Sequence, residues 1–239
     1  MKLTIYEIGP LNLAIALMPI LVVVVILAAW SLKSRTAVYA SVRMVVQLTA
    51  IGYILTFIFA QDSPGIVTLV LGLMLLLASW IALRPLKMKS ADLFAKALFG
   101  ISVGGITTLV LTIFAVIRID YWYQPEYVIP LAGMIFSNAM NTVSLAAERF
   151  ESDMAVVPDY IRARNSAFTA SLIPSLNTFF AVGLVALPGM MTGQILSGVS
   201  PLIAVKYQIV IMSVLFGSSG VSSAIFLHLQ RRSTAPVKA

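Results

Sequence analysis

The polar side chains inside the apolar stretches of this sequence are few and almost all uncharged. Ser137, Asn141 and Ser144 recur at i, i+4, i+7, with Asn138 beside them and Glu148 extending the line. In a helix that spacing forms one stripe. Arg43 and Gln47 stand one turn apart in an earlier stretch and share a face. Ser171, Ser175 and Thr178 repeat the i, i+4, i+7 pattern, with Asn177 among them and Gln194 further on. Amides and hydroxyls in hydrocarbon need partners, so these faces are buried. They either hold helices together or line a path, through hydrogen bonds and weak oxygen ligation. For Arg43 the alternatives are snorkelling to the headgroups and facing a bundle interior.

The missing groups narrow the chemistry. No Asp or Glu lies inside any apolar stretch. Proton- and sodium-driven carriers commonly place carboxylates there, so their absence argues against ion coupling, although backbone carbonyls can bind sodium. No paired carboxylates, His/Asp pair or Ser/His constellation is available inside the stretches, so the chain is not expected to be an enzyme. Met134, Met140, Met190 and Met191 offer thioethers, which suit soft ions such as Cu(I). With no cysteine and only His228, a tight metal site from this chain alone is not expected. A metal that crosses would be held weakly by oxygens or carried as a complex.

These residues belong to a chain of 239, 60% hydrophobic and only 10% charged, with a mean hydropathy of +0.99. Soluble domains run at about 45–50% apolar and about 25% charged. The expectation is an all-α polytopic membrane protein: one transmembrane domain over 1–239 with about seven spans, near 11–30, 38–60, 66–83, 97–117, 128–147, 167–187 and 207–229. No phosphate loop ending in Gly-Lys-Ser/Thr occurs, so no ATPase is expected within these residues. No cleavable signal peptide is expected either; the first apolar run stays as an anchor. Gln61 to Gly65 reads as a turn. The only sizeable hydrophilic loop is expected at Glu148 to Asn165.

Charge sets the orientation. The net charge is +7, and it falls between the spans, which points to membrane topology and not to nucleic acid. With the amino terminus outside, Lys33, Arg35, Arg84, Lys87, Lys89, Lys96, Arg149, Arg162, Arg164, Arg231, Arg232 and Lys238 lie inside. Only Lys2, Arg118 and Lys206 lie outside. That bias predicts the amino terminus out and the carboxyl terminus in. Tyr121, Trp122, Tyr123 and Tyr127 read as an interfacial belt on the outer side.

The region from Ala167 to Pro201 is irregular. Pro174 is expected to break the sixth span, and Pro188, Gly189, Gly193, Gly198 and Pro201 predict a bent or re-entrant segment near 188–201. Irregular backbone at membrane depth is tolerated only against protein or a water-filled cavity. Gly133 with Ser137, and Ser213, Gly217 and Gly220 in the seventh span, read as small-residue packing faces, and self-association is expected from them.

Three stretches carry a resemblance: VRMVVQLTAIGYIL at 42–55, VIPLAGMIFSNAMNTVSLAAER at 128–149, and LIPSLNTFFAVGLVALPGMMTGQILSGVSPLIAVKYQIVIM at 172–212. In this order they resemble the FetB-type ABC exporter permeases, linked to iron export in bacteria, with plant relatives linked to aluminium tolerance. The resemblance implies a permease in the cytoplasmic (inner) membrane, two copies working with two separate ATPase subunits. ATP and Mg would then belong to the partner chain, with no cofactor in this one. In that family the loop after the fifth span is longer and carries a Leu-Gly-Ala-Thr-Pro type of element, absent here. A shortened docking helix around Pro158 to Arg164 is the counterpart considered, with Glu148, Pro158, Tyr160, Arg162 and Arg164 as candidate ATPase contacts.

The functional expectation is an exporter permease subunit, for iron or a related metal. The alternatives are export of an organic solute such as a sugar nucleotide, and a same-fold binding or regulatory subunit without ATPase coupling. Arg43, Gln47, Asn138, Asn141, Asn177 and Gln194, with the bent Pro188–Gln194 segment, are the candidate path residues.

Overall fold

The computed structural model describes residues 8–59 and 63–234. Lys2, the turn residues Gln61 and Asp62, and Lys238 lie outside the described residues. Every regular element described is a helix, as expected. In order they are α1 (Pro10–Ala16), α2 (Met18–Ala29), α3 (Ser34–Phe59), α4 (Pro64–Ala82), α5 (Ala91–Leu111), α6 (Pro125–Val156), α7 (Tyr160–Ala181), α8 (Gly189–Leu196) and α9 (Pro201–Thr234). A π-helical segment, Thr112–Ile117, extends α5. Pro64, Pro125 and Pro201 open α4, α6 and α9, where a missing N–H costs nothing.

Six helices, counting α1–α2 and α5 with its π segment as one each, are long and apolar enough to cross a membrane. The sixth expected span, 167–187, falls on α7, whose first turns are polar and which is not among these six. The chain divides into two compact units, residues 1–61 and 62–239. In the first, α2 is apolar all round, α1 is apolar apart from Asn12, and α3 buries only Ile58, as expected of helices solvated by lipid. The hydroxyls of Ser41, Thr49 and Thr56 donate to carbonyls one turn back, which satisfies them without a neighbour.

In the second unit α4, α5, α6, α7 and α9 pack around a core that includes Val67, Ile101, Val128, Ile135, Phe136, Val143, Phe226 and Leu227. The tightest approach is α5 on α9. A Cβ on Gly100 would lie 2.8 Å from the Ser222 carbonyl oxygen. Ser218, Ser219, Ser222 and Ser223 are fully buried. The small-residue face of α9 is thus the Ser218/Ser222 face; a Cβ on Gly220 would meet nothing within 4 Å, and Ser213 is exposed. Gly133 of α6 instead faces Met74 of α4, at 3.4 Å from a built Cβ.

Several boundaries differ from the sequence expectation. The hydrophilic stretch Glu148–Asn165 is not a loop. α6 runs to Val156, and α7 starts at Tyr160, capped by the Asp159 carboxylate, which accepts from the Ile161 and Arg162 N–H groups at 2.9 and 3.2 Å. Pro158 therefore precedes the helix, and Pro158–Arg164 is no separate docking helix. At about 1.5 Å per residue, the 32 residues of α6 span about 48 Å, against roughly 30 Å of hydrocarbon. Hydrophobicity marked only the buried length, so the projecting turns read as loop.

Pro174 does not end α7, which continues to Ala181; only the N–H bond toward residue 170 is forfeited. The fourth span begins at Ala91, where the Ser90 hydroxyl accepts from the Leu93 N–H at 3.1 Å. Lys96 thus lies inside a helix, its ammonium paired with Asp92. The bent segment is present: after Ala181 a turn through Gly183 (φ +81°) leads to Pro188 and the short α8, and Gly198 (φ +92°) turns the chain into α9. Both angles are in the left-handed region that glycine adopts without a Cβ clash.

Candidate functional site

Three helices of the larger unit converge on an open cavity of about 330 Å³ with a mixed polar and apolar wall. Ser137, Asn141 and Thr178 are exposed in it, so the expectation that these polar faces are buried is not met within the single chain. α6 contributes Met134, Ser137, Asn138 and Asn141; α7 contributes Pro174, Ser175, Thr178 and Phe179; α9 contributes Met212, Leu215 and Phe216. The α6 stripe and the Ser175/Thr178 stripe of α7 therefore face each other, as i, i+4 spacing on two packed helices permits. The Ser137 hydroxyl donates to the Met134 carbonyl at 3.2 Å, and Thr178 to that of Pro174 at 2.8 Å. Both hydroxyl oxygens keep acceptor capacity toward the cavity. Neither the Asn138 nor the Asn141 amide has a hydrogen-bond partner among the described residues. The lining carries no charge. Such a surface can exchange hydrogen bonds and ligate weakly through oxygen, and it has no group to fix a bare multivalent cation.

A second cavity of about 390 Å³ adjoins the first. Its wall comes from the end of α7, the turn at Val182 and Gly183, Leu187, Met191 of α8, and Val205, Gln208, Ile209, Met212 and Ser213 of α9. Phe179 and Met212 border both cavities. Phe179 packs on Phe216 with ring centroids 5.0 Å apart and planes at 47°, so this aromatic pair stands at the junction.

Of the candidate path residues, the fold brings Asn138 and Asn141 together. Asn177 is exposed on α7 and lines neither cavity. Gln194 sits on α8 outside both linings, with its Oε1 buried and unpartnered among the described residues. Arg43 and Gln47 lie on α3 in the smaller unit, Arg43 half-buried and Gln47 exposed. Sequence reasoning missed Gln208, Phe179 and Phe216. A lone amide two residues after Lys206 was the available signal, obscured because the start of the seventh span was drawn through it.

The candidate ATPase contacts gather at one end of the larger unit. Glu148, Pro158 and Arg162 are exposed. Tyr160 is engaged by the fold: its Oη donates to the Leu227 carbonyl at 3.0 Å, and its ring meets Phe150 edge-on at 6.1 Å and the Arg164 guanidinium at 5.8 Å. Arg149 Nε bonds Asp153 at 3.1 Å and Ser166 at 3.2 Å, linking α6 to α7. The Lys87 N–H reaches Glu151 at 3.3 Å, so the α4–α5 link joins the same end. This polar end thus collects Arg84, Lys87, Lys89, Arg149, Arg162 and Arg164.

The family model described as an uncharacterised protein family, UPF0014, matches residues 10–234. A UPF0014 membrane protein of Synechocystis is 38% identical over 189 residues, covering 73% of each chain. The probable iron export permease protein FetB of Escherichia coli is 32% identical over 238 residues, 92% of this chain and 90% of that one. The Arabidopsis thaliana protein ALUMINUM SENSITIVE 3 is 28% identical over 237 residues, 92% of this chain and 85% of that one. No solved structure matches.

Proposed function

Because the chain belongs to the UPF0014 family of membrane proteins, we propose that it is the membrane-spanning permease subunit of an ABC-type exporter in the cytoplasmic membrane, powered by a separate ATPase. The similarity to a probable iron export permease along nearly the whole of both chains supports iron or a related metal as cargo. The observation that carries the reading is the cavity holding Asn138 and Asn141: two unpaired amides facing two hydroxyl-bearing turns of α7, with no carboxylate in the lining. Weak, neutral ligation suits an exporter, which must release what it carries. Cargo in this cavity crosses as a complex or partly hydrated.

The polar end formed by the last turns of α6 and the first of α7 is the ATPase-facing side, and its concentration of positive charge supports a cytoplasmic location. Two copies of the chain act with two ATPase subunits. Inverted membrane vesicles carrying the chain and its ATPase should accumulate iron on addition of ATP. Accumulation that is unchanged when the chain is omitted would refute the assignment.

A further inference from the structure

The cavity bounded by the end of α7, α8 and the start of α9 carries a recognition group that the proposed route does not use. Gln208 is only 6% exposed and lines the cavity, and its Oε1 is buried with no hydrogen-bond partner among the described residues. An amide oxygen taken from water and left unpaired is unfavourable, so the site lacks one donor. The wall does not supply it: the Ser213 hydroxyl already donates to the Ile209 carbonyl at 2.9 Å. Phe179, Leu187, Met191 and Met212 make the remaining surface apolar, and no ionisable group lines it. The Val182–Ala186 bridge, with the Gly183 N–H bonded to the Ala186 carbonyl at 3.0 Å, fixes the turn that closes one side. At about 390 Å³ the space is of small-molecule size.

We infer that this cavity binds an uncharged amphiphile with an apolar body and a single O–H or N–H donor, the donor bonding Gln208 Oε1. A charged ligand would lose its hydration without compensation here, and a wholly apolar one would leave the amide unpaired. Two sources share that chemistry: a lipid headgroup with a free hydroxyl, and an alcohol dissolved in the membrane.

The test uses the full-length protein in detergent and two photoreactive probes, a diazirine-bearing benzyl alcohol and its methyl ether, which differ only in the donor. Adducts are mapped by mass spectrometry. At sub-saturating concentration the alcohol should label the segments around Met191 and Met212 about tenfold more than the ether. Gln208→Met should abolish that preference. It should also raise the melting temperature of the probe-free protein, because it removes an unpaired buried acceptor. Diacylglycerol, an uncharged lipid with one free hydroxyl, competing where triacylglycerol does not would assign the donor to a lipid; competition by hexanol alone would assign it to a dissolved alcohol. Equal labelling by the two probes, adducts mapping elsewhere, a preference that survives Gln208→Met, or a lowered melting temperature in that variant would overturn the inference.

Discussion

Gly104 of α5 and Ser222 of α9 are in backbone contact: a Cβ added to Gly104 would lie 2.8 Å from the Ser222 nitrogen and 2.9 Å from the Ser218 carbonyl oxygen. Main-chain atoms cannot rotate aside as a side-chain end can. Gly104→Ala should therefore force α5 and α9 apart and destabilise the larger unit by about 1–3 kcal/mol, read as a lowered melting temperature in detergent. Gly220→Ala is the control. Its Cβ meets nothing within 4 Å, and alanine favours the helix by up to about 1 kcal/mol, so that variant should melt at or slightly above the parent temperature.

Tyr160 is the second stability prediction. Its hydroxyl ties the first turn of α7 to the Leu227 carbonyl. Tyr160→Phe keeps the ring contact with Phe150 and removes that bond, costing about 0.5–1.5 kcal/mol. Affinity for the ATPase, measured on protein still folded, should change little. A large loss of affinity at unchanged stability would make Tyr160 a direct contact.

Topology gives a third prediction. A reporter inserted within 121–124 should be active outside the cell, and one inserted at 157–158 should be active in the cytoplasm. The basic residues gathered at the α6–α7 end require this under the positive-inside bias. The opposite pattern would invert the proposed orientation.

The helical architecture was legible from hydropathy, and so was the Ser137–Asn141 stripe, because an apolar helix makes its few polar positions conspicuous. The bent segment near 188–201 was legible for a related reason, since Pro188 and Gly198 carry conformations that composition announces. The earlier turn at Gly183 was not, because it lies inside the expected span 167–187, whose helix ends at Ala181. Helix ends outside the hydrocarbon were not. Residues 148–153 are mostly polar, and polarity alone does not separate a helix that continues beyond an apolar run from a loop. The α5–α9 contact was missed because Gly100 and Gly104 acquire meaning only opposite Ser218 and Ser222. A sequence holds no record of which helix faces which. Gln208 was hidden likewise, since its importance lies in the lack of a partner.

Deleting residues 156–162 would mix coupling with folding, because Asp159 caps α7. Arg162→Glu is the better probe. Arg162 is exposed beside the Arg149–Asp153 cleft, so reversal should weaken ATPase co-purification and stimulated hydrolysis while leaving stability within about 0.5 kcal/mol of the parent. Undiminished stimulated hydrolysis would remove Arg162 from the coupling surface.

The central claim is that the Asn138/Asn141 cavity is the transport route, and Asn141→Leu tests it most directly. The Asn141 side chain has no intramolecular hydrogen bond to lose among the described residues, and leucine is well tolerated among membrane helices. The measurement is ATP-driven iron accumulation in inverted vesicles, paired with the melting temperature of the same variant. Accumulation should fall at least tenfold with the melting temperature unchanged or raised. Parental accumulation, or a loss that tracks a lowered melting temperature, would contradict the claim and make Asn141 a helix-packing residue.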